Sequence, residues 1–217
     1  MKPLGLLVVL CSLASKGFCI SCINCWHMQG MPCNGLSQPC SDDQLCVASF
    51  TITTIDPGTT RIFQYSLSCG SRSECNMNGS LTYNRGKLRT GTSCCDTDNC
   101  IPPFPILPNE SSQKNGLICT TCASETSSYC ITREKIECTG EEIKCGRMAR
   151  NVKGTISKND ALRGCTTKSY CGLLGNQMYT IQEVNVIMKM YCTDGAVALQ
   201  VGLFRPAFAV LLTMLLL

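Results

Sequence analysis

The chain has 217 residues, including 20 cysteines and one histidine, and its 19 basic residues against 15 acidic ones give a formal net charge of +4. A single histidine, His27, leaves almost no material for a serine or cysteine triad or for a histidine-rich metal centre. Charge so near balance gives no electrostatic case for nucleic acid, whereas so many cysteines point to an oxidising compartment, secreted or facing the cell exterior.

At the start of the chain, Lys2 precedes an apolar run from Leu4 to Leu13, followed by the small residues Ala14, Ser15 and Gly17. The run is too short to span a bilayer and reads as a cleaved signal peptide. Cleavage after Gly17 satisfies the small-residue rule but leaves Cys19 as an odd thiol. Cleavage after Cys19 leaves an even set and is preferred, which makes residues 1–19 the signal segment. The alternative is a retained Cys19 that pairs with another chain.

The remaining cysteines fall into two runs. The first is Cys22, Cys25, Cys33, Cys40, Cys46, Cys69, Cys75, Cys94, Cys95 and Cys100; the second is Cys119, Cys122, Cys130, Cys138, Cys145, Cys165, Cys171 and Cys192. Matched positions lie 97 apart for Cys22 and Cys119, 97 for Cys33 and Cys130, 96 for Cys69 and Cys165, and 98 for Cys94 and Cys192. The spacing marks a duplicated module, expected at residues 20–100 and 117–194. A module of about 80 residues is near the size at which apolar burial barely offsets chain entropy, so disulfides worth about 2–4 kcal/mol each are needed to stabilise it.

Within the first repeat, the β-branched and aromatic stretch from Val47 to Thr54 predicts a strand, the sequence Asp56-Pro57-Gly58 a turn, and Arg61 to Leu67 the returning strand before Cys69. Phe63 and Tyr65 on that strand are expected on opposite faces, with at most one in the core. Asn78-Gly79-Ser80 is a glycosylation sequon, and so is Asn109-Glu110-Ser111 in the segment between the repeats. That segment, 101–116, holds Pro102, Pro103, Pro105 and Pro108 and predicts a semi-stiff extended connector. In the second repeat, Lys144 to Lys153 and Asp160 to Cys165 predict a strand pair, and Tyr179 to Tyr191 predicts one long strand with Val184, Val186, Met188 and Met190 on one face.

After Cys192 come the small residues Asp194, Gly195 and Ala196, a mixed spacer with Gln200 and Arg205, and an apolar tail from Pro206 to Leu217. A dozen apolar residues fall short of the roughly 20 needed to cross a hydrocarbon core. The order of small triplet, spacer and apolar tail predicts removal of 195–217 and attachment of a glycosylphosphatidylinositol (GPI) lipid. With Lys2, Lys16 and Arg205 gone, 16 basic residues stand against 15 acidic ones, a net of about +1.

The openings Ile20-Ser21-Cys22-Ile23-Asn24-Cys25 and Leu117-Ile118-Cys119-Thr120-Thr121-Cys122, with Cys94-Cys95-Asp96-Thr97-Asp98-Asn99-Cys100, resemble the three-finger domains of the lymphocyte-antigen-6 and urokinase-receptor family. The resemblance covers the mature chain and implies an all-β, small disulfide-rich fold of two tandem three-finger domains. It also implies the pairs Cys22–Cys46, Cys25–Cys33, Cys40–Cys69, Cys75–Cys94 and Cys95–Cys100, then Cys119–Cys145, Cys122–Cys130, Cys138–Cys165 and Cys171–Cys192. Spacing alone does not select them, because even eight cysteines allow 105 pairings. Repeat two departs from the pattern in having no counterpart of Cys95 and Cys100.

No enzyme is expected. The pairs Cys22 with Cys25 and Cys119 with Cys122 have zinc or redox spacing, but in an exported cysteine ladder they read as disulfide partners, so no metal or cofactor is expected. The neighbouring acids Asp42 and Asp43, or Glu141 and Glu142, lack a pocket signature for glycosidase chemistry. Fingers of this family contact other proteins, and the candidate contacts are Trp26, Met28 and Met31 at the first finger, Phe63 and Tyr65 at the central one, and the basic group Arg147, Arg150 and Lys153. The resemblance thus implies a GPI-anchored surface glycoprotein on the outer leaflet that binds an extracellular protein. The alternatives are a secreted inhibitor similar to the two-domain phospholipase inhibitors of serum, and a modulator of a membrane receptor or channel on the same cell.

Overall fold

The computed structural model describes residues 19–55, 60–154, 157–173, 176–181 and 184–197. The signal segment up to residue 18, the Asp56-Pro57-Gly58 turn and the tail beyond 197 lie outside the described residues. The chain divides into two compact units whose borders do not follow the cysteine repeats. The first unit takes 19–53, 61–78 and 90–107; the second takes 54–60, 79–89 and the chain from 108 onward.

The first unit is built on β1 (Ser21–His27), β2 (Leu36–Pro39), most of β3 (Gln44–Ile55) and β4 (Thr60–Ser71), and the later part of β6 (Gly86–Cys95). Their lateral order is β6-β3-β4-β1-β2. β1 serves two partners: Ser21 to Asn24 pair with β2, and Cys25 to His27 pair with β4. Because successive strand residues face opposite ways, β1 turns Ile23 and Cys25 into the core while Asn24 and Trp26 face outward. Ala48, Phe50 and Ile52 of β3 meet Tyr65 and Leu67 of β4 in that core, with Phe63 and Leu107 packed against it.

Phe63 and Tyr65 are not on opposite faces, contrary to the expectation above. They are two residues apart and share the period-two side of β4. Tyr65 is buried, and Phe63 stacks on Phe50 with ring centroids 6.5 Å apart.

The proline-rich segment is ordered against the first unit along its early part. The Phe104 ring lies 4.8 Å from Phe50 and 5.8 Å from Tyr65, and the Ser93 hydroxyl donates to the Pro103 carbonyl. Gly91 permits this approach: a Cβ there would sit 2.3 Å from the Ile106 carbonyl oxygen. At its other end, residues 114–116 already belong to a strand, β7 (Lys114–Thr120).

The second unit adds β8 (Cys122–Ser124), β9 (Lys135–Thr139), β10 (Lys144–Lys153), β11 (Lys158–Thr166), a short helix α1 (Lys168–Leu173), β12 (Asn176–Ile181), β13 (Val184–Thr193) and β14 (Ala196–Val197). It also takes all but the first residue of β5 (Asn78–Tyr83). The strands run β12-β13-β10-β11-β5, with β8 also on β11, and β7 lies between β14 and β9 in a separate small sheet. The predicted single strand from Tyr179 to Tyr191 is in fact the β12–β13 hairpin, paired from Asn176 with Lys189 to Ile181 with Val184; residues 182–183 lie outside the described residues. Folding back gives the outer edge of β13 hydrogen-bond partners that a lone strand would lack. α1 buries Tyr170 and Leu173, and six residues are too few to show helical periodicity in the sequence.

Nine disulfides staple these elements: Cys22–Cys46, Cys25–Cys33, Cys40–Cys69, Cys75–Cys94 and Cys95–Cys100, then Cys119–Cys145, Cys122–Cys130, Cys138–Cys165 and Cys171–Cys192. They are the pairs that the resemblance implies. Their sulfur forms much of the interior: Cys22, Cys40 and Cys46 make one buried cluster, and Cys119, Cys138 and Cys165 with Leu117 make another. The fold is therefore an all-β, disulfide-rich three-finger fold with small carbon cores.

Candidate binding surfaces

In the first unit, four large apolar side chains close together in the chain remain in water, as do Ile101, Phe104 and Ile106 of the proline-rich segment. Trp26 is 46% exposed, Met28 48%, Met31 56% and Leu36 79%. The pairing of Asn24 with Leu36 puts Leu36 on the outward face of β1 and β2 that also carries Trp26. The loop holding Met28 returns to the central finger through a bridge between Gln29 and Phe63. Trp26, Met28 and Met31 are thus available to a partner, Phe63 is half-buried, and Tyr65 is removed from the surface. Leu36 escaped the sequence reading because an isolated leucine between turn residues carries no periodic signal.

In the second unit the predicted basic group divides between two faces of the sheet. Arg150 points to the side opposite Arg147 and is bound by Asp160, its Nε donating to both carboxylate oxygens at 3.1 and 2.9 Å and its terminal nitrogen at 2.5 Å. Arg150 is therefore tied into an ion pair within the sheet, on the side away from Arg147. Arg147 and Lys153 do share a face, six residues apart on β10. The Arg147 guanidinium carbon lies 4.3 Å from the Tyr129 ring centroid and 6.0 Å from that of Tyr191, two half-exposed rings absent from the sequence candidates. Arg163 stands opposite Arg147 on β11, and Tyr191 stands opposite it on β13.

Both sequon asparagines, Asn78 and Asn109, are exposed. Asp194 pairs with Lys144, Gly195 is exposed, and Ala196 begins the short strand β14 that pairs with Ile118 and Leu117. The three sulfurs of Cys22, Cys40 and Cys69 lie close together, as do those of Cys119, Cys138 and Cys165, but all six are bonded as disulfides and offer no thiolate to a metal. Cys19 is a free, exposed thiol; its Sγ donates to Asp42 Oδ1 at 3.0 Å, and that hydrogen bond, with the carboxylate charge, pushes its pKa up.

No protein-family model matches the chain. The chain is 24% identical over 197 residues to a gamma-type phospholipase A2 inhibitor of Elaphe climacophora, spanning 89% of this chain and 96% of the relative. It is 28% identical over 208 residues to the phospholipase A2 inhibitor NAI of Notechis ater, spanning 90% and 97%. The crystal structure of mouse TEX101 aligns at 18% identity with a TM-score of 0.36, covering 80% of this chain and 97% of that one. Full-length likeness to these inhibitors, joined to the disulfide ladder described above, supports the three-finger superfamily of lymphocyte antigen 6 and the urokinase receptor.

Proposed function

We propose that this chain is a GPI-anchored surface glycoprotein that binds an extracellular protein through the first finger of its first unit, without enzymatic activity of its own. The observation that carries the reading is the exposure of Trp26, Met28, Met31 and Leu36 on one finger. Trp26, Met28 and Met31 keep about half of their surface in water, and burying that remainder against a partner is worth about 1 kcal/mol each. Disulfides tie the first finger to its neighbours and close a loop within it, which lowers the ordering entropy that opposes docking. The C-terminal order of small residues, spacer and apolar run supports lipid attachment at Asp194, Gly195 or Ala196.

Proximity labelling on intact cells identifies the partner, and the same labelling with Trp26→Ala and Met31→Ala tests the surface. The expected result is loss of the labelled partner with unchanged surface delivery, and release of the protein by phosphatidylinositol-specific phospholipase C. Retention of the partner by both variants would overturn the assigned surface.

Likeness over 89–90% of the chain to two phospholipase A2 inhibitors favours a second reading, a secreted inhibitor of such an enzyme. The two readings part on a phospholipase A2 assay with protein recovered from medium. Dose-dependent inhibition, together with absence of the protein from the cell surface, selects the inhibitor.

A further inference from the structure

We propose that the outward face of β10, β11 and β13 in the second unit binds a sulfated glycan. By register, one row across this face holds Arg163, Arg147 and Tyr191, the next Ala161, Ala149 and Lys189, and the next Asn159, Asn151 and Ile187. None of these positions is acidic. Among the described residues, the side chains of Arg147, Arg163 and Lys189 have no carboxylate partner, unlike Arg150 on the opposite side.

Arg147 is held in place by the fold. The Cys122–Cys130 disulfide anchors the loop that carries Tyr129, and β8 seats Cys122 opposite Arg163. That arrangement sets the Tyr129 ring against one guanidinium, while the neighbouring strand brings Tyr191. Arg147 Nε is buried and has no hydrogen-bond partner. The sheet thus desolvates part of a cation without giving it a counter-charge, an arrangement that a bound anion relieves.

The chemistry of the row selects the occupant. Guanidinium groups match the oxygens of a sulfate, exposed rings stack on the faces of sugars, and the amides of Asn151 and Asn159 match hydroxyls. Strand spacing puts the cations of adjacent rows about 5–10 Å apart, the reach of neighbouring sulfated sugars. An extended acidic peptide has no edge to join, because β12 covers one side of the three strands and β5 with β8 covers the other. The proposal stands independently of the protein-binding surface on the first unit.

The test uses full-length protein extracted from expressing cells and passed over heparin resin, desulfated heparin resin and immobilised polyglutamate. Arg163→Ala, Lys189→Ala and Arg147→Ala are compared with Lys158→Ala, an exposed cation that pairs with Val152 on the opposite face and removes the same charge. Retention on heparin alone is expected, with each of the three variants eluting at lower salt than Lys158→Ala. The slope of log affinity against log salt should fall by about one for each of those cations removed. Arg147 is partly buried, so the exposed Lys189 and the half-exposed Arg163 keep the test decisive if its alanine variant fails to reach the surface. Equal loss in Lys158→Ala would reduce the effect to net charge and overturn the site. Equal retention on desulfated resin would overturn the sulfate assignment, and retention on polyglutamate with the same variant pattern would replace the glycan with an acidic polypeptide.

Discussion

The Ser80 hydroxyl donates a 2.6 Å hydrogen bond to Glu142 Oε1, joining residues of the two cysteine repeats across 62 positions of chain inside the second unit. Thr82 donates to the same oxygen at 2.7 Å, and the Lys87 ammonium approaches it at 3.2 Å. Glu142 is 1% exposed, and its Oε2 has no hydrogen-bond partner among the described residues. A carboxylate in that position depends on its donors, because water is not there to replace them.

Replacing Glu142 therefore tests how the second unit holds its borrowed strand. Glu142→Leu strands the Lys87 ammonium and two hydroxyls, and should cost about 3–5 kcal/mol in denaturant unfolding. Thr82→Val removes one donor and should cost about 1–3 kcal/mol while leaving the Asn78 sequon intact, which Ser80→Ala would not. Equal stability of Glu142→Leu and the parent chain would show that the polar knot is incidental.

Gly164 is the close-approach point for the same strand. A Cβ on it would lie 1.9 Å from the Thr82 carbonyl oxygen, which belongs to backbone that cannot step aside. Gly164→Ala should cost about 1–3 kcal/mol by forcing β5 away from β11. Hydrogen exchange at Leu81 and Thr82 is the sensitive readout, and unchanged protection there would count against the placement.

Alkaline pH should weaken the first unit through Tyr65. Burial raises its pKa above the usual value of 10.0, so the folded state holds the phenol proton more tightly than the unfolded chain. That contribution is complete below about pH 10 and is lost as pH rises through the higher native value. Thermal unfolding scans between pH 8 and 11 should show a shallower alkaline decline for Tyr65→Phe than for the parent. Tyr83 is raised by burial too, although the nearby Arg85 charge acts against it, and Tyr83→Phe should shift the same limb.

Phe104 reports on the proline segment. It is 52% exposed yet lies against Phe50 and Tyr65, so Phe104→Ala should cost about 1–2 kcal/mol, less than a fully buried phenylalanine. A free tether would show no change in unfolding midpoint.

Local chemistry accounts for the features that are legible in the residue order. The Val47–Thr54 stretch announces β3 through β-branched and aromatic residues, and Cys69 sits near the end of the strand that returns from it. Trp26, Met28 and Met31 are legible only as candidate contacts, and the structure leaves them about half exposed. The basic group of the second repeat is legible as composition but not as a surface, since Arg147 and Arg150 are three residues apart on a strand and face opposite ways. Tyr129 and Tyr191 stay hidden because they meet Arg147 only after three separated segments pair. Glu142 looks like half of an exposed acidic doublet, and nothing local signals that hydroxyls some 60 residues upstream will bury it.

Cysteine order and strand-forming composition, both properties of the chain read locally, were enough by themselves to determine a disulfide-stapled β architecture. Which strands cross from one cysteine repeat into the neighbouring compact unit, which arginine finds an acid and which finds two rings, and which glutamate leaves water were settled only in three dimensions. The reason is physical: pairing register and burial depend on residues far apart in sequence, and a period of two turns a one-residue difference into the opposite face of a sheet.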